Sequence, residues 1–170
     1  MNCSEFVKKL SRLSLPTDVI VVSSSGRATE VTLREWRVKP GQRIIHSPGL
    51  ASMGFALPQA IGVAFASGRR VICIEGDGSL QLNVQELELF TRYELNIKLF
   101  VLNNGGYDSI RSTQRRYFNR LAGCDKNSGL SLPSIRDISR AYNLSYCDDI
   151  DASFTYDNPL ICEVKIDSVN

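Results

Sequence analysis

The sequence is poor in groups that announce a metal or nucleophile site. It has one histidine, His46, and no Cys-x-x-Cys pair among its five cysteines, which speaks against zinc. Those cysteines (Cys3, Cys73, Cys124, Cys147 and Cys162) are scattered and odd in number, so they form no disulfide framework. Free thiols fit a reducing cytoplasm, the expected location. No apolar run approaches the roughly 18 residues that cross a bilayer, and the N-terminus lacks a signal-peptide core. Charge of neither sign dominates: the net value is +2, which argues neither for nor against nucleic acid, and neither a nucleic-acid nor a membrane partner is expected. What remains is ordinary globular composition, 43% hydrophobic and 22% charged. The 170 residues suffice for one domain with a real core, expected over 1–170.

The chain is organised around Gly76 to Asn104. Val71-Ile72-Cys73-Ile74 is a β-branched apolar run that reads as a buried strand, and Gly76 and Gly78 break it into a tight turn. Leu80, Val84, Leu87 and Phe90 then recur at helical spacing, predicting a helix from about Ser79. Ile97 to Leu102 reads as a second strand, so the unit is βαβ with parallel strands. Asp77 and Asn104 each follow the C-terminal end of a strand and so share the sheet edge where open α/β folds bind ligands. A carboxylate and an amide oxygen there make a hard-oxygen site suited to Mg²⁺ or Ca²⁺, and the free N–H groups of the following helix suit a diphosphate.

Gly76-Asp77-Gly78-Ser79 followed by Asn103-Asn104 resembles the motif of thiamine-diphosphate enzymes. Ser52-Met53-Gly54-Phe55-Ala56-Leu57-Pro58-Gln59-Ala60-Ile61-Gly62 is similar to the preceding stretch in the acetolactate-synthase-like group, and Gln85-Glu86-Leu87 fits the same group. The resemblance runs from about Asp18 to Tyr142. It implies an α/β fold, a parallel β-sheet flanked by helices on both faces, of the diphosphate-binding kind. It implies Mg²⁺ held by Asp77, Asn104 and the carbonyl of Gly106. It also implies thiamine diphosphate contacted by Gly26, Arg27, Gly49, Met53, Gly76, Gly78, Ser79 and Asn104. Met53 matches the apolar side chain that wedges between the two cofactor rings, although it also reads as core filler. The family often has Gln-His after the first glycine, where this chain has Arg27-Ala28, and Ala51 stands where glycine is frequent.

Elsewhere, Phe6, Leu10 and Leu13 mark a short helix, Asp18 to Val22 a strand, and Gln42 to His46 another. Ala56 to Ala66 is a small-residue helix ended by Ser67-Gly68, and His46 receives no catalytic role. Ile110 to Leu121 reads as a helix crowded with Arg111, Arg115, Arg116 and Arg120, either a solvated basic face or an anion site. Ser134 to Tyr142 is helical with Asn143 as its C-terminal cap, and strands are expected at Leu144–Cys147 and Pro159–Val164. Only 148–158 separates these two, too short for the usual helical crossover.

The resemblance implies carbonyl chemistry on a 2-keto acid, decarboxylation or carboligation. In the family the activating glutamate lies on a separate pyrimidine-binding domain. Glu75, Glu86 and Glu88 lie in the diphosphate half, so no catalytic residue is assigned in this chain. The chain is expected to be half of a site, a subunit or a fragment, in a homo- or hetero-oligomer. Two other readings stand beside this one. One is the small subunit of a two-subunit 2-oxoacid decarboxylase of the sulfopyruvate or phosphonopyruvate kind. The other is a non-catalytic residual cofactor-binding domain.

Overall fold

The computed structural model describes residues 1–157 and 159–167. The expected crossover's last residue, Asn158, lies outside the described residues. There are six strands among the described residues: β1 (Val19–Val22), β2 (Arg43–Ile45), β3 (Val71–Gly76), β4 (Ile97–Asn103), β5 (Ser145–Cys147) and β6 (Leu160–Lys165). They make one all-parallel sheet in the order β2-β1-β3-β4-β6-β5. The central strands are buried throughout, as strands covered on both faces must be. Alternation sends Ile20, Ile72, Phe100 and Cys162 into one core and Val21, Cys73, Leu99 and Ile161 into the other.

Helices α1 (Cys3–Leu13) and α2 (Gly26–Glu35) cover the first face. Helix α3 (Ala56–Ser67), the one-turn α4 (Asp77–Leu80) and α5 (Leu87–Arg92) contribute to the second. Helix α6 (Asp108–Phe118) packs against α2, and α7 (Ile135–Ala141) completes the second face. This is the expected fold class. A capping box starts α1: Glu5 N–H donates to the Asn2 side chain at 2.9 Å and Asn2 N–H to the Glu5 carboxylate at 3.2 Å. Asn143, just past α7, takes the left-handed conformation at φ +53°, which suits asparagine.

Three elements differ from the sequence pattern. Helix α2 carries no apolar stripe, because Thr29 and Thr32 share its buried face with Ala28 and Val31. Thr29 pays its burial cost by donating its hydroxyl to the Ser23 carbonyl. The helix expected from Ser79 to Phe90 is interrupted: Gln81–Glu86 is 3₁₀, and Asn83 sits at φ −139°, ψ 30°. Its amide donates to the Gly54 carbonyl at 3.1 Å, which draws the chain out of the helical path, while Leu80, Leu87 and Phe90 still reach the core.

The third is the connection from β5 to β6. A single 3₁₀ turn, Ala152–Phe154, stands where a crossover helix would. Ile150 joins the first core and Phe154 packs against it, with the Phe154 ring 6.2 Å from Phe100 and the Arg70 guanidinium 5.2 Å from the Phe154 ring centre. Lys98 of β4, 1% exposed, donates from Nζ to the carbonyls of Ser153 at 2.7 Å and Tyr156 at 2.9 Å. A buried ammonium thus satisfies carbonyls that no helix serves. Burial, and then the positive charge of Arg70, push Lys98 below its ordinary value. Lys98→Met should cost about 1–3 kcal/mol of stability by stranding these carbonyls. Urea unfolding measures the loss, and amide exchange should accelerate first in 149–157; unchanged stability would remove this role.

Candidate cofactor and metal site

Three strand ends converge at the carboxyl edge of the sheet: Ser23 to Gly26 after β1, Gly76-Asp77 at the end of β3, and Asn103 to Gly106 at the end of β4. The chain order reverses between β1 and β3, where such sheets open a crevice. A cleft of about 190 Å³ lies there. Of the residues expected from sequence, Gly26, Arg27, Met53, Gly76, Asp77, Gly78, Ser79, Asn104 and Gly106 line it. Gly49 does not: it sits in an exposed loop with open space around its Cα. His46 also lies outside the lining.

Asp77 is 1% exposed and ties the strand ends together. Its Oδ1 accepts the Gly78 N–H at 2.9 Å, and its Oδ2 accepts those of Gly105 at 2.9 Å and Gly106 at 3.0 Å. Asn104 Oδ1 is buried with no hydrogen-bond donor among the described residues. An unpartnered acceptor oxygen near a buried carboxylate is the kind of donor set that a hard cation takes. Glycine at 106 is obligatory: φ is +139°, and a Cβ would lie 2.2 Å from the Cys124 carbonyl oxygen. A Cβ on Gly78 would meet the Tyr107 ring at 2.4 Å.

Met53 is held at the cleft by the turn beyond it. The Gly54 N–H donates to Ser79 Oγ at 2.7 Å, and Asn83 grips the Gly54 carbonyl. Ala51 takes φ +51°, the left-handed region, which explains physically why glycine would serve well there.

Sequence reading missed Asp108, which lies in the cleft lining. Arg27 Nε pairs with Asp108 Oδ2 at 3.0 Å, so its guanidinium is committed to a carboxylate. Arg111 leaves the exposed basic group formed with Arg116 and Arg120: it is 4% exposed and turned inward. Its Nη2 reaches the carbonyls of Asn104 and Gly105, each at 3.4 Å, and its Nε lies 3.4 Å from Asp125. The i,i+3 spacing of Asp108 and Arg111 was the available signal.

Burial raises the carboxyl of Asp77 above its ordinary value, and the N–H groups of Gly78, Gly106 and Gly105 work against that rise. Glu75, at the end of β3, is also pushed up by burial. Its Oε1 accepts the Gly76 N–H at 3.0 Å, its Oε2 makes no hydrogen bond, and the nearby Ser23 and Ser79 hydroxyls ease its ionisation. A carboxyl raised on folding contributes stability below its unfolded value that is lost as pH rises towards its folded value. Glu75→Gln should therefore match the parent near pH 4 and exceed it near pH 8 in urea unfolding. A variant less stable at the higher pH would contradict this.

Fold and edge cleft together define a parallel α/β domain with an open cleft at the carboxyl edge of the sheet, where folds of this kind bind ligands. Residues 24–156 match the family described as thiamine pyrophosphate enzyme, C-terminal TPP binding domain, and the chain belongs to that family. It is 35% identical over 138 residues to an acetolactate synthase large subunit of Buchnera aphidicola subsp. Acyrthosiphon pisum, covering 80% of this chain and 24% of that protein. It is 34% identical over 127 residues to the acetolactate synthase isozyme 3 large subunit of Escherichia coli, covering 74% and 22%. Against a Buchnera aphidicola subsp. Schlechtendalia chinensis acetolactate synthase large subunit, identity is 39% over 106 residues, covering 61% and 18%. The chain thus spans about a quarter or less of the length of these relatives.

Proposed function

We propose that this chain binds thiamine diphosphate through Mg²⁺ and forms the diphosphate half of the active site of a 2-keto acid decarboxylase or carboligase of the acetolactate synthase kind. The observation that carries this is the unsatisfied Asn104 Oδ1 beside the buried Asp77 carboxylate at the sheet edge. The residues fit the metal: one carboxylate and one amide oxygen leave room for the carbonyl of Gly106 and for phosphate oxygens, as Mg²⁺ prefers. Gly26, Gly76, Gly78 and Ser79 would line the diphosphate, and Met53 would stand against the ring portion.

Thiamine diphosphate, when bound, would supply the nucleophile and electron sink that 2-keto acid decarboxylation or carboligation needs. This chain's share of the work is to hold the anionic end and keep its charge balanced. The cleft lining contains neither Glu75, Glu86 nor Glu88, which supports a glutamate supplied by a pyrimidine-binding domain in a partner subunit or elsewhere in a longer chain. We read 1–170 as one domain of such an oligomer. Among the described residues no helix is long and apolar enough to cross a membrane, and the five buried free cysteines suit a reducing cytoplasm.

Calorimetric titration with thiamine diphosphate, with Mg²⁺ and after EDTA, tests the reading. Binding should require the metal. Asp77→Asn removes the charge and leaves one acceptor oxygen, which can serve the Gly78 N–H or those of Gly105 and Gly106 but not both sides, so Mg²⁺-dependent affinity should fall at least about tenfold. Metal-independent binding, or unchanged affinity in Asp77→Asn, would remove this metal site. With a glutamate-bearing partner domain present, Met53→Ala should lower turnover more than cofactor affinity. Untouched turnover would make Met53 a packing side chain only.

A further inference from the structure

Three polar side chains cross the second face of the sheet in a row. Tyr146 on β5, Glu163 on β6 and Asn103 on β4 are diagonal neighbours: Tyr146 pairs with Ile161 and Val101 with Glu163. Each projects on the same side as the apolar residues Val101 and Ile161. The Tyr146 hydroxyl donates to Glu163 Oε2 at 2.6 Å, and Asn103 Nδ2 donates to Glu163 Oε1 at 2.6 Å. Burial and the Glu163 carboxylate push Tyr146 up to about 12, so its hydroxyl stays a donor.

The row continues into the turn after β4. Asn103 Oδ1 accepts the Gly105 N–H at 3.1 Å, and the same N–H donates to Asp77 Oδ2 at 2.9 Å. Asn103 has no freedom to flip, since its nitrogen must face the carboxylate and its oxygen the N–H. The side chain of Asn103 thus clamps the turn that carries Asn104, and Glu163 clamps Asn103. None of the other functions assigned above uses Glu163.

We infer that Glu163 is a positioning residue for the metal ligand Asn104, acting through Asn103. This rests on the reading of Asp77 and Asn104 as the metal site. Both bonds to Glu163 are charge-assisted and short, which suits a rigid brace. Partners of this kind behind a metal ligand typically govern affinity by about 10–100-fold. A glutamine at 163 can still accept from Asn103 Nδ2 and turn its own amide towards the Tyr146 oxygen, so shape rather than charge should carry the effect.

The test uses Mn²⁺, read by electron paramagnetic resonance in the presence of thiamine diphosphate, on the full chain. Glu163→Ala should weaken Mn²⁺ at least about tenfold, Glu163→Gln by less than about threefold. Asn103→Ala combined with Glu163→Ala should be no worse than the weaker-binding single variant. Without any metal, amide exchange at Gly105 and Gly106 should quicken in Glu163→Ala and stay slow in Glu163→Gln. Circular dichroism and thermal unfolding establish that each variant is folded, and the glutamine variant serves if the alanine one is not. Unchanged affinity in Glu163→Ala beside lost affinity in Asp77→Asn would overturn the role of Glu163 alone. A glutamine variant as weak as the alanine one would also overturn it, since charge and not position would then be at stake. No Mn²⁺ binding by the unaltered chain would instead remove the metal reading beneath it.

Discussion

The Asp77 carboxylate is the joint on which the site depends. It is almost fully buried, and its two oxygens accept three backbone N–H groups, one from its own turn and two from the turn after β4. Those bonds lock the ends of β3 and β4 at a set distance. They also offset only part of the cost of holding a negative charge out of water, so its proton affinity stays raised. Nearby, Asn104 Oδ1 accepts nothing. It is this pairing of a buried carboxylate with an unpartnered amide oxygen that supports the proposed cation site.

The surrounding structure serves that joint from both sides. On one side α6 sends Arg111 back to the carbonyls of Asn104 and Gly105 and anchors it with Asp108 and Asp125. On the other the Tyr146–Glu163–Asn103 row reaches the same turn across three strands. Below, Lys98 and Phe154 close the sheet face where the chain is short, so that β6 stays in register beside β4. The turn is held by side chains from distant parts of the sequence.

Much of this was legible in the residues. The strands were visible because parallel strands buried on both faces read as continuous β-branched runs. Asp77 and Asn104 were visible because a βαβ unit must put both strand ends on one edge. Helix α2 was not, since threonines on its inner face erase the apolar period. The break at Asn83 was not, since it comes from a bond to Gly54, far away in sequence. Gly49 was named from its motif position alone, and it lies in an exposed loop outside the cleft lining.

The sequence by itself determined the fold class and the family and put Asp77 and Asn104 on one edge of the sheet, because these follow from periodicity and from short motifs within one supersecondary unit. Only the tertiary structure decided that Arg27 is bound to Asp108, that Arg111 faces inward, and that Glu163 braces Asn103. Each of these arrangements joins residues from different helices, turns or strands. Which charge meets which is fixed by the packing of the sheet and its helices, and local pattern carries no record of it.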